Sequence, residues 1–205
     1  MSLDDWHLVF VSVCLVLVLA ACAPVVSAFM KVREEQFFAL AVLGEEGMVE
    51  KYYPGDDPNI KVGEEIHWTT YLYNHLGEAQ YVAVKVKLLN STMLAPNYTS
   101  CSPSPAPVVY EIRRVLLDNE TWLYPFDWNL LNVVLNGDSI SIERLMINGQ
   151  PYQINVETLN GFNFRIVLEL WIYDAVSGRF NFGWVTMQES HCAWNQIWFN
   201  VTLAG

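Results

Sequence analysis

"QYVAVKVKLL", residues 80–89, alternates with a period of two: Val82, Val84, Val86 and Leu88 fall on one side, Ala83, Lys85 and Lys87 on the other. An extended chain sends successive side chains to opposite faces, so the pattern predicts a strand with one face against a core. "FNFRIVLELWIYD", residues 162–174, repeats it, with Phe164, Ile166, Leu168, Leu170 and Ile172 opposed to outward positions that include Arg165 and Glu169. Four further runs are rich in β-branched and aromatic residues: "EEIHWTTYLYN" (64–74), "VVYEIRRVLL" (108–117), "RFNFGWVTM" (179–187) and "NQIWFNVTL" (195–203). Turn formers separate them at 44–47, 54–58, 74–77, Asn148-Gly149 and Ser177-Gly178. The Asn-Gly pair suits a two-residue type I′ hairpin. About eight or nine short strands at this spacing predict a mainly β fold, an immunoglobulin-like antiparallel β-sandwich. "DWNLLNVVL", 127–135, predicts one helical turn, and "CSPSPAP", 101–107, a connection outside any central strand.

Working outward, the chain begins with an uncharged run from Leu8 to Met30 that contains "LVLVLAACAPVVSAFM", residues 15–30. Roughly 20 apolar residues suffice for a helix to cross a bilayer. Three fates compete. Val26-Ser27-Ala28 resembles a signal-peptide cleavage site, and Leu19-Ala20-Ala21-Cys22 resembles a lipobox. As an uncleaved anchor, the run offers Ala20, Ala21 and Ala23 for close helix packing. Asp4 and Asp5 stand where a signal would be basic, and the first residue is still Met1. An N-terminal transmembrane helix is therefore the expectation. It divides the chain into an anchor or signal segment, 1–35, and an extracellular β-sandwich domain, 36–205.

Orientation has two opposed indicators. Lys31 and Arg33 would draw the C-terminal side inward. Four glycosylation sequons, at Asn90, Asn97, Asn119 and Asn200, favour the outside. Cys14 and Cys22 belong to the apolar run, which leaves Cys101 and Cys192 for the folded part. In an extracellular domain such a pair reads as a disulfide worth roughly 3–5 kcal/mol, with two buried thiols as the alternative. The expected setting is a single-pass protein of the cell membrane with its C-terminal domain outside.

A net charge of −11 without a basic stretch excludes nucleic acid as a partner. Charged residues are only 16% and aromatics 14%, a composition that packs a core. No catalytic, metal or cofactor signature emerges. His7, His67, His75 and His191 lack His-x-His or His-x-x-x-His spacing. The order Met187, His191, Cys192 reverses that of a blue-copper loop. There is no Gly-x-Ser-x-Gly elbow and no phosphate-cradling glycine loop. Adjacent acids such as Glu64-Glu65 point to opposite faces when extended, and "GDDPN", 55–59, lacks the oxygen spacing of a calcium loop. Trp122, Tyr124, Phe126 and Trp128 share one side of an extended segment. Buried they are a core wall; exposed they are a protein interface or a sugar platform.

Residues 37–90 resemble the archaeal domain of unknown function numbered 1616. The similarity rests on Leu43-Gly44 closing a hydrophobic strand, Tyr53-Pro54, Val62-Gly63-Glu64 entering a strand, and Asn74-His75 at a turn, with "LWIYD", 170–174, fitting more loosely. Members of that family carry several membrane helices before the domain; this sequence has one such run. The resemblance implies an archaeal, membrane-attached, outward-facing sandwich and no reaction.

The functional expectation is a non-enzymatic accessory or structural subunit of an archaeal envelope or membrane protein complex. Its partners would be other membrane or envelope subunits and the lipid bilayer, met through residues 8–30. One alternative is a secreted filament subunit that adds "FMKVREEQFFALAVL", 29–43, to a neighbour's sheet edge. The other is a carbohydrate-binding ectodomain using Trp122 and Trp128.

Overall fold

The computed structural model describes residues 3–29, 35–186 and 189–203. Met30, Lys31, Arg33 and Met187, on which parts of the span, orientation and copper readings rest, lie outside the described residues. Two units separate, one up to residue 35 and one from residue 36 onward.

The first unit is helix α1, Leu3–Phe29, of 27 residues. Among the described residues no helix is long and apolar enough to cross a membrane; the side chains described in α1 are those of 6, 7, 9–18 and 20–22. Over its whole sequence α1 has no Asp, Glu, Lys or Arg from Trp6 to Phe29. Its length is about 40 Å at 1.5 Å per residue. The apolar residues are not gathered into a stripe, and Phe10, Val11, Leu15 and Leu17 are all exposed.

The second unit is an antiparallel β-sandwich. One sheet orders β1 (Phe37–Leu43), β3 (Ile66–His75), β6 (Thr121–Asn136), β7 (Ser139–Ile147) and β8 (Gln150–Leu159) as β1-β3-β6-β7-β8. The other orders β2 (Asn59–Lys61), β13 (Trp194–Thr202), β9 (Phe164–Asp174), β4 (Gln80–Leu89) and β5 (Tyr110–Leu116) as β2-β13-β9-β4-β5, and β10 (Arg179–Phe182) also pairs with β9. A ribbon of β11 (Trp184–Thr186) and β12 (Glu189–His191) stands apart. Only β2 beside β13 is a parallel pairing among these strands.

The inward faces meet as the period-two runs require. Trp68, Phe126 and Trp128 of the first sheet and Phe164 and Phe199 of the second are buried, and the Trp128 and Phe199 rings lie 5.2 Å apart across the core. Asn148 and Gly149 both have positive φ, 46° and 75°, and join Ile147 to its partner Gln150 in the expected hairpin.

Two local expectations need correction. "DWNLLNVVL" is not a helical turn: it lies within the 16-residue β6, whose register against β7 shifts between Leu130 and Asn132. That bulge breaks the alternation and places apolar residues at a spacing that imitates a helix. The same strand contains Pro125, which is tolerated because β7 pairs only from Trp128 onward, so no ladder partner needs its missing N–H on that side. The second correction concerns β4 and β9, which are buried on both faces rather than one; Lys87 is 3% exposed and Glu169 0%. Residues 90–109 form a strap across the outward face of their sheet. Arg165 Nη2 donates to Met93 O at 2.6 Å and Val109 N to Val86 O at 2.8 Å. Between those points Lys87 Nζ donates to Ser104 O at 2.5 Å, and Ser104 N to Glu169 Oε1 at 2.8 Å. The structure also locates part of the segment that the filament alternative uses. The later part of its donor segment is already β1, paired to β3 from Phe37↔His75 to Leu43↔Thr69.

Candidate functional site

The "RFNFGWVTM" run makes two strands rather than one because Gly183 interrupts it. Gly183 has φ 81°, and a Cβ there would stand 2.0 Å from His191 O and 3.0 Å from Cys192 Cα. This close backbone approach is possible only without a side chain, and it brings Cys192 in against the strap. On the strap side, Asn97 and Ser102 exchange both backbone hydrogen bonds, at 2.8 and 3.1 Å, closing a tight loop. Cys101 sits in it with φ 44°.

Cys101 Sγ donates to Tyr98 O at 3.6 Å and Cys192 Sγ to the same oxygen at 3.9 Å. The two residues singled out for a disulfide are thus neighbours, yet both are free thiols. The structure brings together the pair expected to form a disulfide without a bond between the sulfurs, which share one carbonyl acceptor; the strap is also held by Lys87, Glu169 and Arg165. Cys192 is 7% exposed, and burial first, then the neighbouring Cys101 thiol, pushes its pKa up to about 12. Cys101 is half-exposed and lines a cleft of about 450 Å³ together with Tyr173, Asp174, Phe182, Trp184 and His191. The His191 ring stacks on Trp184, centroids 5.7 Å apart, and its Nε2 meets Thr186 Oγ1 at 2.7 Å.

A second cleft, of about 260 Å³, lies at the outward face of the first sheet and is lined by Glu65, His67, Asp127, Asn129 and Asn148. His67 Nδ1 donates to Asp127 Oδ1 at 2.9 Å, both side chains being 52% exposed. That hydrogen bond is the main cause of a raised His67 pKa. A raised folded-state value means that the pair stabilises the fold fully below the ordinary histidine pKa. The contribution is lost as pH rises through the folded value. Solvent limits it to roughly 0–1 kcal/mol. Between about pH 5 and pH 8.5, the urea midpoint of the parent should therefore fall further than that of Asp127→Asn. Parallel pH curves for the two would remove this role of the pair.

His67, His75 and His191 do not converge. His67 and His191 line different clefts, and His75 Nδ1 instead meets Asn119 Oδ1 at 2.6 Å. Among the described residues no group of three or more His, Cys, Asp or Glu is placed to hold a metal ion.

Trp122, Tyr124, Phe126 and Trp128 do share a side of β6, but it is the inward one. Phe126 and Trp128 are each 1% exposed, Trp122 is buried, and Tyr124 is tied by its hydroxyl to that of Tyr110 at 2.7 Å. The stripe is a core wall and not a platform. A partly exposed aromatic group lies elsewhere: Tyr81, Tyr173 and Phe180 cluster within 5.1–5.6 Å of one another on the outward side of the second sheet, with Arg113 over Phe180 at 4.9 Å. Tyr81 and Tyr173 occupy the outward parity of β4 and β9, so the alternation that located the core also marked them.

The four sequon asparagines differ in how their acceptor nitrogens are used. Asn90 Nδ2 donates to Glu157 O at 2.9 Å, and Asn200 Nδ2 to Asn59 Oδ1 at 3.0 Å. Exposed Asn119 donates to Asp118 Oδ2 at 2.8 Å. Asn97, also exposed, uses only its Oδ1, which accepts from Ser100 N at 3.0 Å.

No family model matches the sequence, and no curated protein matches it. Among solved structures, the chain is similar to the sporulation control protein Spo0M from Bacillus subtilis, at 10% identity and a TM-score of 0.36 over 80% of this chain and 49% of that one. It is similar to a β-glucosidase from Listeria innocua in complex with glucose, at 13% identity and a TM-score of 0.35 over 82% of this chain and 17% of that one. It is also similar to the Pseudomonas fluorescens alkylpurine DNA glycosylase AlkC, at 11% identity and a TM-score of 0.29 over 64% and 32%. The chain spans half or less of the length of each.

Proposed function

We propose that this chain is a membrane-anchored, outward-facing β-sandwich of immunoglobulin-like outline, a non-enzymatic accessory or structural subunit of an envelope or membrane protein complex in an archaeal-type cell. The observation that carries the reading is α1. Its exposed apolar side chains are not confined to one stripe, and a helix apolar all round needs lipid or other helices for cover. Sequons at the exposed Asn97 and Asn119 support an outward position for the sandwich, as does the acidic net charge. The partner subunits meet α1 within the bilayer.

The full chain in its native membranes should stay in the pellet after an alkaline carbonate wash, and protease added to intact cells should digest the sandwich. Val13→Arg with Leu17→Arg should release it, since an arginine at a helix centre costs about 2.5–3.5 kcal/mol of insertion. Wild-type chain recovered in the wash would overturn the anchor; a protected sandwich would overturn the orientation. A monodisperse monomer in mild detergent would overturn the subunit role. The filament reading is the weaker one, because residues 37–43 already pair within the chain.

A further inference from the structure

We propose that Cys101 and Cys192 are a thiol–disulfide exchange site, Cys101 the entry thiol and Cys192 the resolving thiol, whose substrate is a low-molecular-weight disulfide bound in the cleft beside His191. The inference does not depend on the membrane reading.

Three observations carry it. The thiols are neighbours without being bonded, since both donate to Tyr98 O. They are unequal: Cys101 is half-exposed and lines the cleft, whereas Cys192 is buried behind it. The cleft, at about 450 Å³, has the volume of a small-molecule site, and Tyr173, Phe182 and Trp184 supply aromatic surface beside Asp174 and His191. The local backbone also suits a change of sulfur position. Cys101 belongs to a short loop closed on itself through Asn97 and Ser102, while the strap is pinned to the sheet separately at Met93 and Ser104. A shift of the loop leaves those anchors intact.

The chemistry balances without a metal or redox cofactor. The Cys101 thiol gives its proton to solvent, and the thiolate attacks one sulfur of a small disulfide RSSR. The S–S bond breaks, Cys101–S–SR forms and the first RS⁻ leaves, taking up a proton. Cys192 then loses its proton and attacks the Cys101 sulfur. The Cys101–SR bond breaks, the Cys101–Cys192 disulfide forms and a second RSH departs. The protein pair is oxidised by two electrons, and one disulfide is reduced to two thiols. Only Cys101 lines the cleft, so the incoming disulfide meets it first, and Cys192, whose pKa is raised by burial, yields its proton only when the mixed disulfide stands beside it.

The test uses reduced full-length protein carrying Cys14→Ser and Cys22→Ser, here the parent called wild type, in mild detergent with oxidised glutathione as the disulfide, followed by intact-mass spectrometry. Wild type should lose about 2 Da and release two glutathiones per chain. Cys192→Ser should stop at a mixed disulfide, a gain of about 305 Da mapped to Cys101. Cys101→Ser should react at least roughly tenfold more slowly. Should either variant misfold, alkylation of the wild type answers the same question: Cys101 should be modified at least roughly tenfold faster than Cys192. Equal rates at the two sulfurs, or reaction only in denaturant, would overturn the proposal. So would a pair isolated as a disulfide that dithiothreitol cannot reduce until the protein unfolds, because that is a permanent staple.

Discussion

Glu169→Ala is expected to lower the unfolding free energy by about 3–5 kcal/mol, the cost of stranding a buried charge. Glu169 Oε2 lies 2.8 Å from Lys87 Nζ, accepts from Trp171 Nε1 at 3.0 Å, and its other oxygen accepts from Ser104 N. Removing the carboxylate leaves the ammonium of Lys87 with the Ser104 carbonyl as its remaining hydrogen-bond acceptor, in a site 3% exposed. It also frees the middle of the strap, so limited proteolysis within 94–107 should accelerate. The informative control is the double variant Lys87→Met, Glu169→Leu. Two apolar residues of similar volume remove both charges at once, and stability should return to within about 1–2 kcal/mol of wild type. Denaturant unfolding of wild type, Glu169→Ala and the double variant decides the matter. A double variant no better than Glu169→Ala would show that the cost came from packing and not from the stranded lysine.

Trp68→Ala should cost about 3–5 kcal/mol, as deletion of a buried large aromatic does. Its ring packs on Phe126, 6.0 Å away, and edge-on to Trp128 at 5.2 Å, while Nε1 donates to Tyr52 O at 2.6 Å. Tyr52 and Tyr53 both lie against the same ring at 6.1 Å. One side chain therefore joins the core of the first sheet to the connection between β1 and β2. Trp68→Phe keeps most of the burial and loses the hydrogen bond, so its cost should be nearer 1 kcal/mol. Near-equal destabilisation by the two substitutions, measured in urea, would mean that the Tyr52 carbonyl rather than the packing is the important partner.

Much of this fold was legible because a half-buried strand writes its orientation into alternate residues. The runs at 64–74, 80–89, 162–174 and 195–203 all became strands with the inward faces the alternation requires. What failed to show was information held in contacts between distant segments. Lys87 and Glu169 look like solvent-side residues within their own strands, and only the strap, contributed by residues 90–109, turns that side into interior. The bulge at Leu130–Asn132 is likewise a property of pairing with β7, not of the local sequence. For the site, Cys101 and Cys192 could be associated by counting cysteines. Their state, and the cleft beside them, depend on Gly183 letting the backbone of 191–192 approach, which a glycine between two aromatic runs only hints at.

The position of β13 has a consequence for how the molecule is made. The last of the described strands to be synthesised lies inside its sheet, between β2 and β9, and supplies Ile197, Phe199 and Val201 to the core. Emerging from a ribosome or a translocation pore, the chain can pair β3 with β6 or β4 with β9 early. It cannot close the sandwich until this segment arrives and slots in. Until then Trp128 and Phe164, which Phe199 covers, remain open to water. A chain held before that final insertion would therefore present an unfinished half-sandwich with its apolar face uncovered.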